Sequence, residues 1–350
     1  MSDYLSLKSV TADPADGISN FLKNTFGKVT DGPRFFARHI GVSPSGLLTA
    51  LTDNPFLFMW RKHPRIIFGT GYPGDFLYAL AHPRDSKYVI NFHSVLYRGK
   101  DSPWSVRTPW FLRQFLFSRA ALIICPSNFS ASSVSALLPT ARVVSILNGV
   151  DLEAFSPKNT DRKKLDEVYG ILNDGVPLIS FVGSLHHRKR PEVVEEIARR
   201  FPEVRFIFVG REVGEYDPQR LKELPNVIWI SKMSREDVAT LLASSAALIF
   251  PSLHDASAAV ILEAMASGCI PVVSRSGGST EFFQEAVSGF SVPINDQEID
   301  LFCKKIRAIT GDSAVRAQMS IAARNEAEKH PWEDVAREYL RALQEASLTE

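Results

Sequence analysis

The stretch Ala246–Glu281, AALIFPSLHDASAAVILEAMASGCIPVVSRSGGSTE, reads in succession as strand, acid-bearing loop, helix, strand and glycine loop. The runs ALIFPS and IPVVSR are short, apolar and bounded by turn residues, as buried strands are. Between them VILEAMASG is a helical run that ends on a glycine. That order builds one wall of a nucleotide-binding crevice in a parallel α/β sheet. Inside it Asp255 and Glu263 stand eight positions apart. On one continuous helix that spacing is a rise of about 12 Å and an offset of roughly 80°, so the two carboxylates are expected to grip opposite ends of an extended ligand.

A nucleotide diphosphate sugar suits such a pair, because its sugar and ribose hydroxyls both donate charge-assisted hydrogen bonds to carboxylates. The segment resembles the signature of the group 1 glycosyltransferases (glycosyltransferase family 4), in which an acid, seven residues and a Glu recur at this place. Here the first acid is Asp255, where that family usually has Glu. The resemblance implies an α/β fold of two Rossmann-like domains (GT-B) facing each other across a cleft, with a C-terminal helix crossing back to the first domain. It also implies transfer with the anomeric configuration of the sugar retained.

The rest of the chain has room for that fold. Its 350 residues suffice for two α/β domains with separate cores. Three cysteines, Cys125, Cys269 and Cys303, are odd in number and widely spaced. They suggest neither a disulfide framework nor a zinc site, and a reducing cytosol fits them. No apolar run approaches the ~20 residues that span a bilayer, and MSDYLSLKSVTADP lacks the features of a signal peptide. The protein is expected to be cytoplasmic, soluble or peripheral on a membrane face. Net charge is +1, but residues 1–158 hold 17 Lys+Arg against 10 Asp+Glu, and the remainder 23 against 29. The basic first half can steer an anionic acceptor or membrane surface, or can simply be a solvated face complementary to the second half. Nucleic acid is not expected, since basic and aromatic residues do not interleave as in RNA-binding sheets.

Strand-like runs in the first half are YLSLKSV, RFFARHI, RIIFGT, YVINFH, ALIICPS and ARVVSIL, with helical stretches at 18–26, 46–60, 75–81 and 109–118. The polar run SPKNTDRKKLDEVYG separates this pattern from the next, and the linker is placed near 156–163. The expected domains are 1–158, on the acceptor side, and 159–331, binding the nucleotide sugar, with the helix 332–350 returning to the first. The second half repeats the alternation through PLISFVG, PEVVEEIARRF, VRFIFVG, NVIWIS and SREDVATLLASS, and is helical from Asp300. Ser234-x-x-Asp237 is close to a capping box, and Pro331 suits a helix start.

A departing diphosphate needs positive charge around it. No two aspartates are separated by a single residue, so an Asp-x-Asp metal site is not expected. Basic side chains and a helix N-terminus are the alternative. FVGSLHHRKRPE carries Arg188, Lys189 and Arg190 between a strand and a helix, and resembles the family's Gly-Arg-x-x-x-x-Lys loop. The resemblance assigns Gly183 to close backbone approach and Lys189 to the diphosphate. Ser184 stands where the family has Arg, with Arg188 as a candidate substitute; a solvated basic turn is the plain alternative. Gly277 and Gly278 follow a strand and precede a helical turn, which suits a phosphate or sugar hydroxyl, or only a turn.

Asp255 is also the residue type that caps a helix. Glu263, in the apolar run VILEAMA, needs either a ligand or a paired arginine. The resemblance gives Asp255 the donor sugar and Glu263 the ribose. His93 lies just past the strand YVINF, where the family often carries a His beside the reacting sugar. Tyr97 and Arg98 follow it as acceptor contacts, and Gly17 lies in a turn matching the family's first glycine turn. A lone His is otherwise structural. FGTGYPGD satisfies Gly-x-Gly-x-x-Gly at Gly69, Gly71 and Gly74, but Pro73 interrupts it and no acid follows at the distance a dinucleotide site wants. PWSVRTPWFLRQFLFSR, 103–119, is aromatic and basic, a core helix or a membrane-contacting tip. Since Ser184, Asp255 and Ala256 depart from the family pattern, two other readings stand beside a transferase. One is a non-catalytic subunit that binds nucleotide sugars, the other an epimerase or phosphorylase of the same fold.

Overall fold

The computed structural model describes residues 8–9, 38–39, 66–69, 87–95, 114–115, 117–214 and 216–348. Gly17, Gly71, Gly74, Tyr97, Arg98, the helical stretches 18–26, 46–60 and 75–81, and all of 103–113 lie outside them. Contacts divide the chain into two units, Met1–Asn148 with Trp332–Glu350, and Gly149–Pro331.

The first unit contains a parallel pair, β1 (Lys8–Ser9) and β2 (Arg38–His39). It also contains a parallel sheet in the order β3 (Ile66–Gly69), β4 (Lys87–Asn91), β5 (Leu122–Cys125) and β6 (Val143–Ser145). Both faces of the four-stranded sheet are covered, as crossover connections require. Tyr88 and Ile90 of β4 pack with Val134 of α1 (Asn128–Leu137) and with Phe117. Val89, one residue out of phase, packs on the other face against α8 (Trp332–Leu348). α8 buries Trp332, Val335, Tyr339, Leu343 and Ala346, a stripe at helical spacing. Each large apolar group of that stripe contributes about 1.5–3 kcal/mol. The last helix of the sequence thus belongs to the sheet of the first unit.

The second unit is one six-stranded parallel sheet in the order β12-β11-β10-β7-β8-β9. Its strands are β7 (Leu178–Val182), β8 (Arg205–Val209), β9 (Val227–Ile230), β10 (Ala247–Phe250), β11 (Ile270–Ser274) and β12 (Phe290–Val292). Relative to β7 this is the doubly wound order, in which the chain returns to the centre and then builds outward the other way. The crevice therefore opens at the carboxyl ends of β7 and β10. On one face Ile179, Phe181, Phe206, Phe208 and Ile249 pack with Val194 and Ile197 of α3 (Pro191–Arg199) and with Phe302 and Ile306 of α6 (Glu298–Gly311). On the other, Leu178, Ile207 and Val209 pack with Leu165 of α2 (Arg162–Tyr169) and Leu241 of α4 (Arg235–Ser244). Two further helices are α5 (Ala259–Ala266) and α7 (Ser313–Ala327).

Ser234 caps α4: its Oγ accepts from the Asp237 N–H at 3.0 Å and donates to the Asp237 carboxylate at 2.7 Å, a side-chain bond in place of the backbone half of a full capping box. The polar run read as a linker contains the helix α2, which Asp161 caps through the Lys164 N–H at 2.9 Å. Among the described residues no helix is long and apolar enough to cross a membrane.

Candidate nucleotide-sugar site

Two loops meet at the switch point of the second sheet. One leaves β7 and carries residues 183–190; the other leaves β10 and carries 251–258. They are joined through the backbone, since the Arg188 carbonyl accepts from the Leu253 N–H at 2.9 Å and from Ser252 Oγ at 3.3 Å. They are also joined by charge. The Lys189 ammonium is ion-paired with the Asp255 carboxylate, and both side chains are about six-sevenths buried, at 14% and 15% exposed. Lys189 Nζ also lies over the Phe250 ring at 4.3 Å. Burial holds its pKa below the usual lysine value, opposed by Asp255. Arg190, in the left-handed region at φ 55, makes a two-pronged ion pair with Glu298 of α6. Of three consecutive cations two are thus matched inside the protein. The half-buried Arg188 has no ion pair among the described residues.

Asp255 does not lie on the helix that carries Glu263, which corrects the continuous-helix geometry taken from their spacing. α5 begins at Ala259, and its N-cap position is Ala258, with no side-chain cap. The Ala258 N–H donates instead to Ser279 Oγ at 3.0 Å. Asp255 therefore does not cap α5. Its Oδ1 accepts from the Ser257 N–H at 3.2 Å, a local turn bond, while Oδ2 faces Lys189. Polar bonds to the loop and to the lysine won over the helix because Asp favours such local turns.

Glu263 is the fifth residue of α5. It has no hydrogen bond or ion pair among the described residues. Burial raises its carboxyl to about 7, and Arg235 opposes the shift. Arg235 itself stacks over Phe155 at 5.2 Å, so the arginine acts at a distance and not as a bonded partner. An acid so placed, without a neutralising bond, is what a ligand hydroxyl can satisfy.

Gly277 has a geometric reason of its own. It pairs with Asp255 as a parallel bridge, and a Cβ there would lie 2.2 Å from the Asp255 carbonyl oxygen. The Gly278 N–H donates to that same oxygen at 3.0 Å. The glycine pair therefore lets the loop after β11 close onto the acid loop. Gly183 continues the β7–β8 ladder through its N–H to Val209 at 2.9 Å, and a Cβ there would meet nothing within 4 Å. The close approach falls instead on Gly210, where a Cβ would lie 1.9 Å from the Gly183 oxygen. The sequence reading passed over Gly210, although VRFIFVG ends on it in the same way that PLISFVG ends on Gly183. Ser184 is exposed and its carbonyl accepts from the His186 N–H at 2.9 Å.

In the first unit His93 lies two residues past the end of β4 and is half-buried. Its Nε2 lies 2.7 Å from the Asn91 amide nitrogen, and the Asn91 oxygen accepts from the Tyr339 hydroxyl at 3.0 Å. Sequence reasoning missed Asn91 and Tyr339, which are 248 positions apart.

The sequence matches the family described as glycosyl transferases group 1 over residues 161–326, and the family described as glycosyltransferase family 4 over residues 19–154. A sulfoquinovosyl transferase of Arabidopsis thaliana is 28% identical over 286 residues, covering 78% of this chain and 55% of its own. A GDP-mannose-dependent alpha-mannosyltransferase of Mycolicibacterium smegmatis is 27% identical over 235 residues, covering 67% and 60%. The chain thus spans less than two thirds of the length of either relative. The Anabaena protein HepE, solved in complex with UDP and glucose, superposes with a TM-score of 0.75 at 18% identity over 98% of this chain and all of its own. Both halves of this chain belong to the group 1 glycosyltransferases, glycosyltransferase family 4, with the GT-B fold.

Proposed function

We propose that the chain is a retaining, metal-independent glycosyltransferase that moves a sugar from a GDP- or UDP-linked donor to a hydroxyl of a glycan, lipid-linked or other acceptor. The observation that carries this reading is the Lys189–Asp255 ion pair at the β7/β10 switch point, with Glu263, unbonded among the described residues, on the helix that follows. Lys189 and Arg188 hold the diphosphate beside the Gly277–Gly278 loop, whose Gly278 N–H is already given to the Asp255 carbonyl. Glu263 accepts from the ribose hydroxyls and Asp255 from the donor sugar. Binding is then an exchange of partners: the diphosphate takes over Lys189, and the Asp255 carboxylate turns to a sugar hydroxyl. The bond from the anomeric carbon to the diphosphate breaks, the acceptor oxygen bonds to the same face, and the acceptor proton passes to the departing phosphate oxygen. Lys189 stabilises the charge that develops there.

The first unit serves the acceptor, with His93 as its group beside the reacting sugar and Gly17, Tyr97 and Arg98 along the acceptor side. Its excess of Lys and Arg, the exposed Phe115 and Phe129, and Arg119 over Phe115 at 5.6 Å support an anionic acceptor on the cytoplasmic face of a membrane.

The pairing of Asp255 with Lys189 also supports a second reading, a subunit that binds nucleotide sugars without turning them over, because a committed acid is a poor sugar ligand. The test is a screen of GDP- and UDP-sugars against lipid, glycan and protein acceptors, with and without EDTA. An acceptor-dependent product of retained configuration, unaffected by EDTA, is expected. Product without acceptor supports an epimerase or phosphorylase, binding without product supports the subunit, and loss of activity in EDTA removes the cationic-loop account.

A further inference from the structure

Asn91 is the last residue of β4 and is fully buried, on the same strand face as Val89, against α8. A buried amide there is costly unless both of its ends are bonded, and both are. The Tyr339 hydroxyl, also fully buried, lies 3.0 Å from Oδ1. The amide nitrogen lies 2.7 Å from His93 Nε2. An amide nitrogen donates and cannot accept. Nε2 must therefore present its lone pair, and the one N–H of a neutral imidazole falls on Nδ1. A doubly protonated ring would set two donors against each other at 2.7 Å.

We infer that Asn91 and Tyr339 are positioning residues that hold His93 as the neutral Nδ1–H tautomer, making its ring a hydrogen-bond donor from Nδ1 and closing Nε2 as a base. The device rests on the reading of His93 as a group of the acceptor side, and it ties that group to the last helix of the chain. Titratable groups around it keep the direction of donation fixed. Burial, then Cys125 of β5 and Glu338 of α8, hold the Tyr339 phenol well above its usual range, so it remains a donor. Burial likewise pushes the Cys125 thiol up to about 12, so it stays neutral.

The test reads the ring itself. In the full chain labelled with 15N-histidine, the signal of His93 among the eight histidines is identified by its loss in His93→Gln. Long-range proton–nitrogen correlation at neutral pH should show Nδ1 protonated and Nε2 bare. Asn91→Asp converts the donor into an acceptor, and should move the proton to Nε2 and raise the His93 pKa by about one unit or more. Tyr339→Phe keeps the packing but releases the amide, and should give a mixture of tautomers with kcat lowered several-fold and donor affinity within about twofold. A wild-type ring protonated on Nε2 overturns the inference without any variant. So does a tautomer indifferent to Asn91→Asp, or to Tyr339→Phe where the first variant does not fold. If the tautomer is as stated while His93→Ala leaves turnover intact, the catalytic reading of His93 fails and the positioning device stands.

Discussion

The two regions that carry candidate chemistry are built in opposite ways. At the switch point of the second unit charge is matched to charge: Lys189 with Asp255 across two loops that leave neighbouring strands, and Arg190 with Glu298 at the start of α6. At the end of β4 in the first unit His93, the titratable candidate among the described residues there, meets a neutral amide that is itself bonded by a phenol from the last helix. A diphosphate site must hold cations in place before the anion arrives, and internal ion pairs do that at a cost the ligand can offset. A group beside a reacting sugar needs a fixed proton position instead, and neutral hydrogen bonds supply it.

The largest effect should come from breaking the charged side. Lys189→Ala should lower kcat by about 100- to 1,000-fold, whereas Arg188→Ala should cost about tenfold, because one contact of a shared anion remains. Equal losses measured by steady-state kinetics would mean that the ion pair has no special place. On the neutral side, His93→Ala should lower kcat by about 10- to 100-fold and leave donor affinity within about twofold. Equal loss in both would move His93 from the reaction to donor binding.

Packing between the loops gives a stability effect. Gly277→Ala forces a Cβ to within 2.2 Å of the Asp255 carbonyl oxygen, and should cost about 1–3 kcal/mol. Thermal melting checks this, and an unchanged melting temperature would show that the acid loop is free to move.

Glu263 gives a pH dependence whose sign is fixed. Its folded pKa of about 7 lies above the ordinary 4.5. The stability contributed by the neutral carboxyl is therefore fully present below 4.5 and lost as pH rises through 7. Glu263→Gln should flatten that part of the melting profile, and a profile unchanged by the substitution would place the titration elsewhere. Nucleotide binding should run the other way and tighten from pH 6 to 8, since the ionised carboxylate is the better acceptor for ribose hydroxyls.

The second unit was legible because its signals are local. Ala246–Glu281 holds β10, α5 and β11 in one unbroken run. What the run does not hold is the conformation of the loop, so the spacing of Asp255 and Glu263 suggested a shared helix that stops short at Ala259. α1 was not legible. NFSASSVSAL is rich in serine, which reads as turn, yet Ser127 caps the helix through the Ser130 N–H at 3.1 Å and Val134 is buried beneath it. α2 hid in a charged run because only Leu165 of its eight residues is buried. Asn91 and Tyr339 leave no sequence signal, since each reads as an ordinary member of a strand and a helix until the fold brings them together.

The central claim is that Glu263, unbonded among the described residues, waits for the ribose of a nucleotide donor. Calorimetry of UDP and GDP binding to the wild-type chain and to Glu263→Ala tests it most directly. The account predicts that whichever nucleotide binds loses about tenfold to 100-fold in affinity, with Lys189→Ala weakening the same nucleotide independently. Unchanged affinity in Glu263→Ala would contradict it.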